Sequence, residues 1–255
     1  MSLTLSKSGR QEPRDINGIV ARVDECGYCI VPDVISVDEA AKARRILMQL
    51  AEGEATDKTR EARTQRVGEI AVKHRIFRDL LCHPLVMAVW ENYLGEDFFC
   101  SSWSANIAYP GFDRYGWHVD YPYWSITPPW PLDFIAGQTV WMLDDFCAEN
   151  GATGTVPCSH RFGRPPHEPR DRWCEEGIIL EGGCGSVAFA HGAWHHTARP
   201  NRSDDPRCAL LGMYLKPCLI PQEDMHSQLA GMDSPTELER KLMGGNQHRP
   251  RNVGL

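Results

Sequence analysis

From Phe98 onward the chain breaks into short apolar runs, each bounded by Gly, Pro or Asp. They fall near residues 98–109, 138–143, 152–156, 185–190 and 208–215, lengths that suit strands. No helical pattern alternates with them, which favours an antiparallel sandwich or barrel over a parallel sheet. Ahead of the runs the signal is mostly helical. Tyr28-Cys29-Ile30-Val31, between Gly27 and Pro32, reads as one short strand. Ser36-Val37-Asp38-Glu39 matches a capping box, and Ala40, Ala43, Leu47 and Leu50 continue it at helical spacing to about Gly53. Residues 54–66 are polar and aperiodic, a surface loop that is either a lid or a plain solvated connection. Residues 76–82 and 84–94 read as two helical pieces, the second opened by Pro84 and closed by Gly95. Ser234-Pro235-Thr236-Glu237 reads as a second capping box with Pro at N1, leading to Gly244.

The expectation is a mainly β chain with flanking helices, forming one domain over residues 1–255. Within it, about 15–95 is helical, about 97–220 is the β core, and about 234–244 is a C-terminal helix. Residues 1–14 read as a flexible arm without the apolar stretch of a secretory signal. No apolar run reaches the roughly 20 residues of a membrane helix. A net charge of −7 argues against a broad grip on nucleic acid or an anionic membrane. Ten cysteines scattered through a chain with no signal suggest reduced thiols and a cytoplasmic protein. Cys26 and Cys29 make a lone CxxC with no second pair at zinc-ribbon spacing, so packed thiols are the simpler reading.

Chemistry concentrates at Gly116-Trp117-His118-Val119-Asp120-Tyr121. On an extended segment His118 and Asp120 point the same way, giving one imidazole and one carboxylate on one face. A second His would complete a 2-His-1-carboxylate facial triad, which leaves open positions on Fe(II). His191, His195 and His196, at the end of an apolar run, are the candidates.

These segments, with Trp141 to Phe146, Glu149 to Thr153, Val156-Pro157-Cys158-Ser159-His160, and His196 through Arg207, resemble the phytanoyl-CoA dioxygenase family of iron(II)/2-oxoglutarate oxygenases in content and order. The resemblance implies a double-stranded β-helix (a cupin-like jelly roll) with helices outside one sheet. It implies Fe(II) held by His118, Asp120 and His196, with 2-oxoglutarate as cosubstrate and O2 as oxidant. In the family pattern the ligand His precedes an Asn by five residues and an Arg by eleven. His196 meets both, with Asn201 and Arg207, whereas His195 is the alternative that misses each by one. Arg207 would hold the distal carboxylate of 2-oxoglutarate in a bidentate fork. Cys158 departs from the family's usual Gly, which bears on local backbone geometry. Related halogenases lack the acidic ligand, so Asp120 points to hydroxylation or another oxidation, with succinate and CO2 released.

Gln138, Trp141 and Asn106 lie on strands that border the cosubstrate in this fold; each contacts it or packs in the core. Tyr121, Tyr123, Trp124 and Trp130, with Trp103 from the strand before, either line a substrate pocket or form the loop's own small core. Arg60, Arg63, Arg66, Lys73 and Arg75 form a basic stretch that either meets an anionic substrate or faces solvent. Two other readings stay open: a non-catalytic β-sandwich that binds a ligand, and a zinc hydrolase with the same three ligands. Small-molecule chemistry is expected in both enzyme readings; substrate and oligomeric state are not encoded in any motif found.

Overall fold

A computed structural model describes residues 15–131, 133–166 and 177–244. The expected N-terminal arm lies outside the described residues. The first helix, α1 (Ile16–Cys26), was not foreseen. Asp15 caps it by accepting from Gly18 N at 2.8 Å, and Gly27 closes it at φ 88°. Its buried face is Ile19 and Val23; Gly18 in the first turn weakens the local signal. After it come β1 (Tyr28–Val31), α2 (Val37–Glu54), α3 (Asp57–Ala62), β2 (Thr64–Val67), α4 (Ile70–Lys73), α5 (Arg75–Leu81) and α6 (Pro84–Leu94). The Ser36 capping box forms as expected, with Ala51 rather than Leu50 completing the buried stripe of α2.

Residues 54–66 are not a loop. Thr56 and Thr59 cap α3 reciprocally, and β2 joins the main sheet through Thr64↔Ala108 to Val67↔Ala105. The strand hides from sequence reading because it is a polar edge: Gln65 is buried through Nε2–H donation to Ala51 O at 2.8 Å, while Arg66 faces outward into an opening.

The β core contains β3 (Phe99–Ala108), β4 (Ala136–Met142), β5 (Gly154–Thr155), β6 (Ile178–Ile179), β7 (Val187–His191), β8 (His196–Thr197) and β9 (Arg207–Leu215), followed by α7 (Met225–Ala230) and α8 (Glu237–Leu242). Six strands make one antiparallel sheet in the order β1-β7-β4-β9-β3-β2, and β6-β5-β8 make a second. This is the double-stranded β-helix with flanking helices. Helices pack on one face of the large sheet, where Trp90, Trp103, Trp141, Leu210 and Tyr214 are buried together. The other face meets the small sheet through Val140, Met142, Ala188, Ala190 and Ala209, against Phe146, Leu180 and Trp194. Gly137 is required where α6 crosses β4, since a Cβ there would sit 2.2 Å from Trp90 Cζ3.

Two turns refine the sequence reading. Thr236, not Ser234, caps α8: its Oγ1 accepts from Glu239 N at 3.2 Å, and Glu239 Oε2 accepts from Thr236 N at 2.6 Å. Pro235 therefore precedes the helix rather than opening it. Cys158 keeps the turn expected of glycine by adopting φ 61°, ψ 8°, at a cost on the order of 1 kcal/mol. Its Sγ–H donates to Glu25 O at 3.4 Å. Among the described residues no helix is long and apolar enough to cross a membrane.

Candidate metal centre

The backbone of His118 pairs with that of His196 at the edge of the small sheet. His118 N donates to His196 O at 3.0 Å, and His196 N donates to His118 O at 3.1 Å. Residues directly opposite in an antiparallel pair project from the same face, and the two imidazole centroids lie 4.3 Å apart. Asp120, two residues on, reaches the same spot. One ligand-type atom from each of His118, Asp120 and His196 lies within 4.8 Å of the others. His118 Nε2 is 3.6 Å from Asp120 Oδ1, and His196 Nε2 is 3.4 Å from Asp120 Oδ2.

Both rings are turned the same way by their far nitrogens. His118 Nδ1 is 2.5 Å from Gly116 O and His196 Nδ1 is 3.3 Å from Trp194 O. A carbonyl only accepts, so Nδ1 carries the proton and Nε2 presents its lone pair toward Asp120. Burial, reinforced by His118 and opposed by Asp120, pushes the His196 pKa down to about 4. That imidazole is therefore neutral at ordinary pH and binds a cation without first losing a proton. His195, the alternative, is fully buried on the opposite side, with Nε2 2.9 Å from Arg164 O. The one-residue alternation of a strand separates the two histidines. His191 is turned inward as well, its Nδ1 accepting from Ala193 N at 2.9 Å.

The triad opens into a cavity of about 220 Å³. Its wall is the inner face of the large sheet: Arg66 of β2, Ser102 and Asn106 of β3, Gln138 and Val140 of β4, and Arg207, Leu211 and Met213 of β9. Thr153 and Ala198 face them, and Trp124 and Gln222 also line the cavity. Arg207 is 3% exposed, and its guanidinium lies 5.0 Å over the Phe146 ring. Burial pulls its pKa down to about 10. Among the described residues no carboxylate lies within ion-pair distance of it, and its Nε is buried without a partner. A buried cation left in that state calls for an anion from outside the chain.

Several expected site residues are elsewhere. Trp141 does not touch the cavity; it is fully buried on the helix side, edge-on to His83 at 5.4 Å. Trp103 is likewise on the helix side, its indole N–H donating to Phe77 O at 3.1 Å. The reason is the two-residue period: Trp141 is three residues from Gln138 and Trp103 three from Asn106, so each pair occupies opposite faces. Tyr123 packs with Trp130 at 5.2 Å in the loop's own core. Tyr121 is absent from the cavity wall and donates its hydroxyl to Ile220 O at 2.7 Å. Trp124, 58% exposed, is the one member of that aromatic group lining the cavity. Gln138 is in place but engaged with Asp120, donating from Nε2 to Oδ2 at 2.6 Å. Of the basic stretch, Arg66 alone lines the cavity; Arg60, Lys73 and Arg75 pair with Glu52, Glu54 and Asp79. Thr153, Gln222 and Trp194 were missed. Trp194 sits two residues before His196, with its ring stacked on that imidazole at 4.6 Å and 19°.

Comparisons with known proteins agree with this geometry. Dioxygenase af480 of Aspergillus fumigatus is 29% identical over 235 residues, covering 87% of this chain and 72% of the relative. The epimerase SnoN, solved in complex with Fe3+, alpha ketoglutarate and nogalamycin RO, superposes with a TM-score of 0.64 at 19% identity, over 87% of this chain and 91% of that one. The non-heme alpha ketoglutarate dependent carbocyclase SnoK from nogalamycin biosynthesis gives 0.63 at 22% identity, over 86% and 93%. Both structures share the fold. The family model for phytanoyl-CoA dioxygenase (PhyH) matches residues 23–209, most of the chain, and on that match the protein belongs to the phytanoyl-CoA dioxygenase family.

Proposed function

We propose that this protein is an Fe(II)- and 2-oxoglutarate-dependent dioxygenase that hydroxylates an unactivated C–H bond of a small organic molecule, releasing succinate and CO2. The observation that carries the reading is the pairing, in one cavity, of a two-imidazole, one-carboxylate face with a buried cation that lacks a counter-ion. The donor set suits iron: two neutral nitrogens and one carboxylate on one side of the ion, as in other non-haem oxygenases. His118, Asp120 and His196 hold the metal. Arg207 takes the distal carboxylate of 2-oxoglutarate, and Asn106 lines the same wall. Bound iron supplies the electron-transfer and O2 chemistry that amino acids lack. The chain's part is to orient the cosubstrate, exclude water and hold the substrate bond near the metal.

Trp124 lies on the substrate side of the cavity. A zinc hydrolase would use the same three ligands but has no need of Arg207; a non-catalytic sandwich has no need of either. SnoN and SnoK are named for epimerisation and ring closure. Those outcomes share the oxidation of a C–H bond, so hydroxylation is tested against them by product analysis. We further read the chain as one domain working in the cytoplasm, consistent with the absence of disulfides among its described cysteines.

Anaerobic titration tests the proposal. Wild-type protein given Fe(II) and then 2-oxoglutarate should develop the visible metal-to-ligand charge-transfer band, and should release succinate slowly in air without substrate. His118→Ala and Asp120→Ala should lose both signals. Retained 2-oxoglutarate decarboxylation in both variants would sink the assignment.

A further inference from the structure

We infer that Gln138 and Trp194 form a positioning clamp that locks the Asp120 carboxylate in its ligand orientation. The inference rests on the metal reading above and deepens it. Asp120 lies outside the named strands, two residues beyond the single backbone bridge at His118. The final torsion of an Asp side chain is broad and roughly two-fold, so such a carboxylate swings unless something holds it. Gln138 is suited to hold it. It sits on β4, hydrogen-bonded between β7 and β9, opposite Ala190 and Met213. Its Nε2 donates to Asp120 Oδ2 at 2.6 Å.

A glutamine amide presents either end unless a neighbour chooses. Here Trp194 chooses. Its Nε1–H donates to Gln138 Oε1 at 2.9 Å, and an indole nitrogen cannot accept. The amide oxygen must therefore face Trp194 and the amide nitrogen must face Asp120. The same indole stacks on the His196 ring at 4.6 Å. One side chain thus supports an imidazole ligand with its face and the carboxylate ligand through its edge. Gln138 is 6% exposed and Trp194 1% exposed, so water does not compete for these bonds. Partners that orient metal ligands are worth about 10–100-fold in metal affinity when removed.

The test uses full-length protein, anaerobic, with Co(II) as the probe, because its d–d absorption reports ligand geometry. Gln138→Leu keeps the volume and removes both bonds. It should bind Co(II) about 10–100-fold more weakly, with an altered d–d spectrum and an unchanged far-ultraviolet dichroism spectrum. Trp194→Phe keeps a ring against His196 and loses only the donor. It should weaken Co(II) binding less, and the double variant should lose no more than Gln138→Leu alone. Wild-type affinity and spectrum in Gln138→Leu would overturn the clamp. If Gln138→Leu does not fold, Trp194→Phe decides, and a wild-type spectrum there overturns the proposal. A His118→Ala variant that binds Co(II) as tightly as wild type would overturn the metal reading itself, an outcome distinct from failure of the clamp alone.

Discussion

The two faces of the large sheet are built from the same strands and behave as different materials. Facing the helices, β3, β4 and β9 present Trp103, Trp141, Leu210 and Tyr214, and Tyr214 stacks on Trp90 at 5.7 Å. Facing inward, their neighbours one to three residues away are Asn106, Gln138, Arg207 and Met213. The outer face is apolar and interlocked, so removing one large ring costs about 3–5 kcal/mol. The inner face carries a guanidinium buried without a partner, which works against the fold by several kcal/mol on the scale of such groups. The difference teaches that the packed side fixes the strands, and the strands then hold polar groups where a flexible loop would not.

That contrast can be broken at three points. Arg207→Leu should have the largest effect. Loss of a buried, hydrogen-bonded charge contact costs about 2–5 kcal/mol, so the 2-oxoglutarate concentration needed for half-maximal succinate release should rise by about 100-fold or more. The same variant should melt no lower than wild type, because an unpaired buried cation has been replaced by an apolar group. A lowered melting temperature with unchanged 2-oxoglutarate dependence would move Arg207 to the structural side. Trp141→Ala is the mirror experiment. Denaturant unfolding should show a loss of about 3–5 kcal/mol, while the folded fraction keeps its 2-oxoglutarate dependence; a shifted dependence would show that the two faces are not independent. Trp124→Ala should do least to the fold, with stability within about 0.5 kcal/mol of wild type. Succinate release without substrate should stay level, and KM for the true substrate should move once one is known. Unchanged KM would remove Trp124 from the substrate wall.

Much of this site could be read from residues alone because its parts are local. His118 and Asp120 share a face by strand period, and His196 and Arg207 stand in a short segment at fixed spacing. Ser36 and Glu39 announce α2 by themselves. The failures have two physical causes. One was avoidable: Trp103 and Trp141 were placed with Asn106 and Gln138, although an odd separation on a strand puts them on opposite faces. The other was not. Arg66 reaches the cavity only because β2 pairs with β3 at Arg66↔Asn106, and a polar edge strand carries no apolar signature. The Gln138–Trp194 bond joins residues 56 apart in sequence, and a contact of that kind has no local trace.

The order of the large sheet has one more consequence. Its two outermost strands, β1 and β2, both come from the region ahead of Phe98, whereas the four between them come from behind it. The leading third of the protein therefore frames the catalytic sheet as well as covering it. A fragment cut at Phe98 would present β7 and β3 as bare edges with unpaired amides and carbonyls, the geometry that recruits foreign strands. Truncation from that end is a route to aggregation, and any shortened form for crystallisation or engineering has to retain both framing strands.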